Sequence, residues 1–143
     1  MIEIKLGHHL VCEATDCSKR ILDDQVELVN IMLKACVNGG AGILGHTTHK
    51  FEPQGVTVVV GLSESHASIH TWPEYGYAML DVCTCGDKVD PKQILEEIVD
   101  ALKGKAHITT YERGIPTKSR KRTRKSAVTK YKSGRKTNGN NKR

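Results

Sequence analysis

Two stretches of this chain can form helices, and each has a single apolar face. The first opens at Asp24, which stands three residues before Glu27 in a D-x-x-E capping box, and carries Val26, Leu28, Val29, Ile31, Met32 and Leu33 before a Gly39-Gly40 stop. The second opens at Asp90, with Pro91 in its first position and Gln93 in its third, and carries Ile94, Leu95, Ile98, Val99 and Leu102 up to Gly104. A helix with one apolar stripe needs a surface to cover it, and the remaining segments supply a sheet. Residues 2–13 mix apolar and polar positions as a strand does, residues 42–51 and 55–63 are poor in helix formers, and Val56-Thr57-Val58-Val59-Val60 is a β-branched run suited to a central strand. Further strands are expected over 67–71, 77–83 and 106–111. This order predicts an α/β (α+β) fold, a two-layer sandwich with two helices packed on one face of a mostly antiparallel sheet.

The charge is divided between two parts of the chain. All 16 acidic residues lie within 1–117, whereas 12 of the 22 Lys and Arg lie within 118–143; ten basic residues remain in the first part, which is net −6 against +12 for the rest. Residues 118–143 hold one Val, one Ala and one Tyr, too little apolar surface to offset the entropy of ordering. The expected organisation is a folded domain over 1–117 and a disordered basic tail over 118–143. Such a tail suits sequence-independent, salt-sensitive binding of RNA, DNA or other polyanions, or a contact with the chain's own acidic part. Five cysteines, Cys12, Cys17, Cys36, Cys83 and Cys85, contain no C-x-x-C pair, and no secretory signal or bilayer-length apolar run is present. A reducing cytoplasmic location is therefore expected, with no disulfide and no membrane span.

The densest chemistry lies between Leu62 and Cys85, LSESHASIHTWPEYGYAMLDVCTC. Ser65 is flanked by Glu64 and His66, and His70 follows on the same extended segment. A hydroxyl beside a base is the minimum for nucleophilic catalysis, yet no G-x-S-x-G elbow surrounds the serine and no acidic orienter follows in the manner of a hydrolase. His66 is read as orienting the turn. His46, His49, His66 and His70 offer four imidazoles, but His46 and His49 face opposite sides of a strand and no C-x-x-C or H-E-x-x-H spacing occurs, so no metal site is expected. Gly39-Gly40-Ala41-Gly42 is followed by no G-K-S/T and no helix start, which argues against a phosphate cradle.

Ser63-Glu64-Ser65-His66, Ile69-His70-Thr71-Trp72-Pro73-Glu74-Tyr75-Gly76-Tyr77 and Thr84-Cys85-Gly86 together resemble the pyruvoyl-dependent S-adenosylmethionine decarboxylase family of prokaryotic type. Weaker similarity runs from Gly7-His8-His9-Leu10 through His49-Lys50-Phe51 to about Ile115. Decarboxylation of an amino acid needs an electron sink that no ordinary side chain provides. The resemblance implies that the chain makes one: the Ser65 hydroxyl attacks the Glu64 carbonyl, the resulting ester eliminates to dehydroalanine, and hydrolysis leaves a covalent pyruvoyl group on residue 65 for Schiff-base formation with substrate. The proenzyme would thus split into residues 1–64, ending at Glu64, and 65–143.

Further roles follow from the same resemblance. His70 would remove the Cα proton during processing, Thr57 would lend a hydroxyl where relatives commonly have serine, and Cys85 would protonate the substrate carbon after carbon dioxide leaves. Phe51 would stack on adenine and Glu74 would bind the ribose hydroxyls. Two copies would associate with their active sites at the interface, and the product would be the aminopropyl donor for spermidine synthesis. Many relatives carry aromatic or bulky residues near the positions of Ala14 and Thr15, and some members decarboxylate ornithine or arginine instead. Those substrates form one alternative. A non-enzymatic nucleic-acid binder working through the tail forms another.

Overall fold

The computed structural model describes residues 1–117; the expected basic tail, 118–143, lies outside the described residues. Strand β1 (Ile2–Thr15) is followed by a one-turn helix α1 (Lys19–Leu22), the long helix α2 (Gln25–Asn38), and strands β2 (Ile43–Lys50), β3 (Val56–Leu62) and β4 (Ser65–Trp72). A 3-10 turn at Pro73–Tyr75 leads into β5 (Tyr77–Cys85), helix α3 (Pro91–Ala101) and β6 (Lys105–Pro116). The six strands form one sheet in the order β2-β3-β4-β5-β1-β6, and every neighbouring pair is antiparallel.

Both long helices begin where the sequence places them. The Asp24 carboxylate accepts the Glu27 N–H at 2.9 Å, and the Asp90 carboxylate accepts the N–H groups of Lys92 and Gln93, both at 3.0 Å. Each cap satisfies amides that the first helical turn leaves without a partner. Helix α2 lies over β2, β3 and β4, whereas α3 lies over β5, β1 and β6. Leu28, Met32, Ile94, Leu95 and Ile98 fill the layer between helices and sheet, together with Val56, Val58, Val60, Ile69, Leu80 and Val82, all fully buried.

Alternation along the strands sets everything that follows. In β3 and β5 the even-numbered residues are buried beneath the helices, and in β4 the buried ones are Ala67, Ile69 and Thr71. Their neighbours therefore point to the opposite face, which none of the helices covers. Strands β4 and β5 extend beyond the expected limits, as does β6, which pairs with β1 along nearly its whole length. The helix α1 had no counterpart in the sequence reading, because four residues carry no periodicity to detect.

Core truncation and cap loss should differ in cost. Leu28→Ala is expected to destabilise the fold by about 2–5 kcal/mol, and Asp90→Ala by about 1 kcal/mol. Urea midpoints by circular dichroism read the difference.

Candidate active site

Strands β3 and β4 are joined by only two residues, Ser63 and Glu64, with Leu62 paired to Ser65 across the turn. The tip is held from outside the hairpin. The Ser63 N–H donates to the Gly42 carbonyl at 2.8 Å, and the Gly42 N–H donates to Glu64 Oε2 at 3.1 Å. A Cβ on residue 42 would meet Ser63 Oγ at 2.6 Å, so a larger residue there would push the Ser63 hydroxyl aside. Ser65 emerges from the turn with φ at 153°, a conformation that L-residues rarely adopt. Holding it there costs on the order of 1–3 kcal/mol, which surrounding contacts must offset.

The carbonyl that Ser65 would attack is already engaged. Cys85 N–H donates to Glu64 O at 2.9 Å, so a backbone donor is aimed at the oxygen on which charge would develop during attack. Cys85 itself is exposed on β5, and Cys83 is half-buried on the same face. Glu64, Ser65 and Cys85 are thus brought together. The Thr84 hydroxyl, on the register partner of Ser65, is buried and has no hydrogen-bond partner among the described residues.

Beside the serine lies a chain of polar groups in which sequence reasoning named His66 but missed Asp81, Arg113 and the connection between them. Ser65 Oγ is 3.1 Å from His66 Nδ1, His66 Nε2 is 3.3 Å from Asp81 Oδ2, and His9 Nε2 is 2.9 Å from that same oxygen. Ser68 Oγ donates to the other oxygen of Asp81, and Arg113 donates to His9 Nδ1 at 2.9 Å. An acidic orienter therefore does exist, contrary to the sequence reading; it comes from the neighbouring strand. Burial pushes the Asp81 carboxyl up, but hydrogen bonds from Ser68, His9 and His66 outweigh it and hold the group below its ordinary 3.8.

The same three residues, His9, His66 and Asp81, converge closely enough to hold a metal ion. Arg113 decides against reading them so. A guanidinium has no lone pair to offer, so His9 Nδ1 must accept and His9 Nε2 must carry the proton that points at Asp81. A ligating imidazole shows the reverse pattern, with its far nitrogen donating outward.

The other expected site residues gather elsewhere. Phe51, Thr57, His70 and Glu74 line one groove of about 380 Å³, together with Trp72 and the backbone of Gly55. Thr57 Oγ1 and His70 Nδ1 are 2.9 Å apart, and the His49 ring packs edge-on against Phe51 with centroids 4.5 Å apart. The floor is anchored to the end of α1: Asp23 accepts from Lys50 and from Gly55 N–H, and Thr71 Oγ1 donates to the Leu22 carbonyl at 2.7 Å. Ala14 is fully buried in the core, so it contributes nothing to this groove, while Thr15 is half-buried at the end of β1. His70 and Ser65 share β4 but stand five residues apart, about 16 Å along an extended strand. Within one copy the structure does not bring them together.

Comparison with known proteins first gives the class. The chain superposes on the crystal structure of the adenosylmethionine decarboxylase from Aquifex aeolicus VF5 with a TM-score of 0.73 and 29% identity, covering 82% of this chain and 98% of that one. It shares that protein's α/β sandwich. The sequence then narrows the class to a family, since residues 8–114 match the family described as S-adenosylmethionine decarboxylase. Relatives named S-adenosylmethionine decarboxylase proenzyme include one from Thermotoga petrophila, 48% identical over 76% of this chain and 85% of its own length. Another, from Methanococcus vannielii, is 46% identical over 78% of this chain and 92% of its own length. This chain belongs to the S-adenosylmethionine decarboxylase family.

A carboxyl held below its ordinary value stabilises the fold above that value and loses its contribution as pH falls through the lowered one. In a Ser65→Ala background, Asp81→Asn is therefore expected to lower the urea midpoint at pH 7. The gap between the two chains should close as pH drops below 3.8.

Proposed function

We propose that this chain is a self-processing decarboxylase acting on S-adenosylmethionine in the cytoplasm, with a pyruvoyl group made from Ser65. The observation that carries this reading is the hairpin tip: a serine at φ 153° next to a carbonyl that accepts the Cys85 N–H. Both features favour rearrangement of the Glu64-Ser65 bond, since strain raises the energy of the peptide and the donor stabilises the developing oxyanion. The relatives' names favour S-adenosylmethionine over ornithine or arginine.

The pyruvoyl group supplies the carbonyl into which electrons flow when carbon dioxide leaves. The residues fit its formation and use. Ser65 carries the oxygen, Glu64 becomes the new carboxyl terminus, and Cys85, one residue beyond the register partner of Ser65, holds an exposed thiol for proton delivery to the substrate carbon. Phe51 presents a half-exposed ring for a purine, and Glu74 presents an exposed carboxylate at the rim of the same groove for ribose hydroxyls.

The groove and the hairpin tip lie at opposite ends of β4, so one copy holds two half-sites. We infer a homodimer in which His70, Thr57, Phe51 and Glu74 of one copy complete the Ser65 and Cys85 site of the other. His70 then takes the Cα proton during processing while Thr57 orients its ring through the 2.9 Å contact. The uncovered sheet face that carries Thr57, His70 and Cys85 also exposes Met79 and Tyr111, apolar surface that a second copy would bury.

Intact mass should show chains of residues 1–64 and 65–143, the second with a blocked α-keto terminus, and Ser65→Ala should leave one unbroken chain. Carbon dioxide release should be seen from S-adenosylmethionine and not from ornithine or arginine. Co-expression of Ser65→Ala with His70→Ala tests the shared site. Mixed dimers contain one complete site, so the His70→Ala chain should be cleaved, although neither variant cleaves alone.

A further inference from the structure

The acyl shift at Glu64-Ser65 needs a group to take the serine proton, and His70 of the same strand stands too far away to do so. His66 Nδ1 is 3.1 Å from Ser65 Oγ. Its register partner on β3 is Gly61, which brings no side chain, so the imidazole is left free on that side. On the other side β5 presents Cys83 opposite it and Asp81 one step further, while β1 presents His9, whose ring lies edge-on at 6.2 Å between centroids. Ser68, two residues along β4, completes the surroundings by donating to Asp81.

The proton positions in this cluster follow from one end. Arg113 can only donate, which makes His9 Nδ1 an acceptor and puts a proton on His9 Nε2, directed at Asp81. Asp81 is thereby fixed as an acceptor on Oδ2. His66 Nε2 faces that same oxygen and must carry a proton as well, which in the neutral imidazole leaves Nδ1 with a lone pair aimed at the Ser65 hydroxyl. A serine, an imidazole with the correct nitrogen free and a carboxylate behind it reproduce the hydrogen-bond logic of a nucleophile with its base.

We propose that His66 is the general base and acid of the first processing step, with Asp81, His9 and Arg113 as positioning residues. This rests on the self-processing reading above. His66 Nδ1 takes the proton from Ser65 Oγ as the oxygen bonds to the Glu64 carbonyl carbon, and the carbonyl oxygen, now negative, is held by the Cys85 N–H. The bond from that carbon to the Ser65 nitrogen then breaks, and His66 returns the same proton to the departing amine. An ester and a free α-amine replace the amide, with no other reactant. His66 and His70 therefore serve successive steps, the first from within the copy and the second from across the interface.

Newly translated precursor provides the test. His66→Ala is expected to slow cleavage by at least about 100-fold, the usual worth of a positioned general base, and added imidazole should restore part of the rate. The intermediate separates the two histidines. A His70→Ala precursor should accumulate the ester, which neutral hydroxylamine cuts at Glu64, whereas a His66→Ala precursor should remain an amide and resist. Asp81→Asn should slow cleavage with the same resistance, an outcome that a general loosening of the hairpin would not give. If His66→Ala lacks a cooperative melt, His66→Gln takes its place in every arm. Cleavage of the variant within tenfold of the wild-type rate, or its ready cutting by hydroxylamine, overturns the proposal. Failure of the wild-type chain to cleave at all would instead sink the function reading on which it rests.

Discussion

The hydrogen bond from Cys85 N–H to the Glu64 carbonyl ties the end of β5 to the turn between β3 and β4, and the chemistry read from this molecule depends on it. A two-residue turn has little freedom of its own, and here three ties fix it: the Gly42 carbonyl on Ser63, the Gly42 N–H on Glu64, and the Cys85 N–H on the carbonyl at the attackable bond. Ser65 is also held in register with Thr84 of β5. The register is secured in turn by β5 lying between β4 and β1, with Leu80 and Val82 packed under α3. Burial in the helix layer, remote from the turn, is what keeps the serine in its unfavourable conformation.

Strand periodicity then sorts the chain into a structural face and a chemical one. Because β4 and β5 pair so that Ser68 opposes Asp81 and His66 opposes Cys83, this stretch of the uncovered face gathers polar and ionisable side chains, whereas Ala67, Ile69, Leu80 and Val82 lie beneath the helices. Slipping either strand by one residue would turn Asp81 and both histidines of β4 into the core, at a cost no partner there could offset. These polar groups thus add to the register preference that the aliphatic ones set.

Much of this was legible in the chain. Asp24 and Asp90 announce their helices through local capping chemistry, and Val56–Val60 announces a central strand, because caps and β-branched runs act over a few residues. The roles proposed for Ser65, His70 and Cys85 rest on family resemblance, and it is the family itself, read over about 6–115, that agrees with the matched 8–114. Asp81 escaped because its partners are 15 and 72 residues away in sequence, and Arg113 is 104 residues from His9. A signal did exist. Once Trp72 is paired with Tyr77 across the Pro73–Tyr75 turn, counting outward puts Asp81 opposite Ser68 and next to His66. The length of β6 was not legible, since its outer residues are exposed and owe their order to pairing with β1 rather than to burial.

The length of β4 also explains why processing would need two copies. Thr57 pairs with His70 at one end of the β3–β4 hairpin and Leu62 pairs with Ser65 at the other, so the hairpin separates the two groups at about 3.3 Å per residue. No side-chain rotation spans that distance within a copy. In the proposed homodimer, a second copy turned about a two-fold axis near the middle of the strand, between Ala67 and Ser68, would lay its His70 end over the first copy's Ser65 end. The same rotation would lay the first copy's His70 over the second's Ser65, so one isologous contact would complete both sites. The proton acceptor for attack, His66, sits on the serine's own strand where it is available before any partner arrives. On this reading the acyl shift can begin in the lone chain, and the irreversible elimination waits for His70 of the second copy, which couples maturation to assembly.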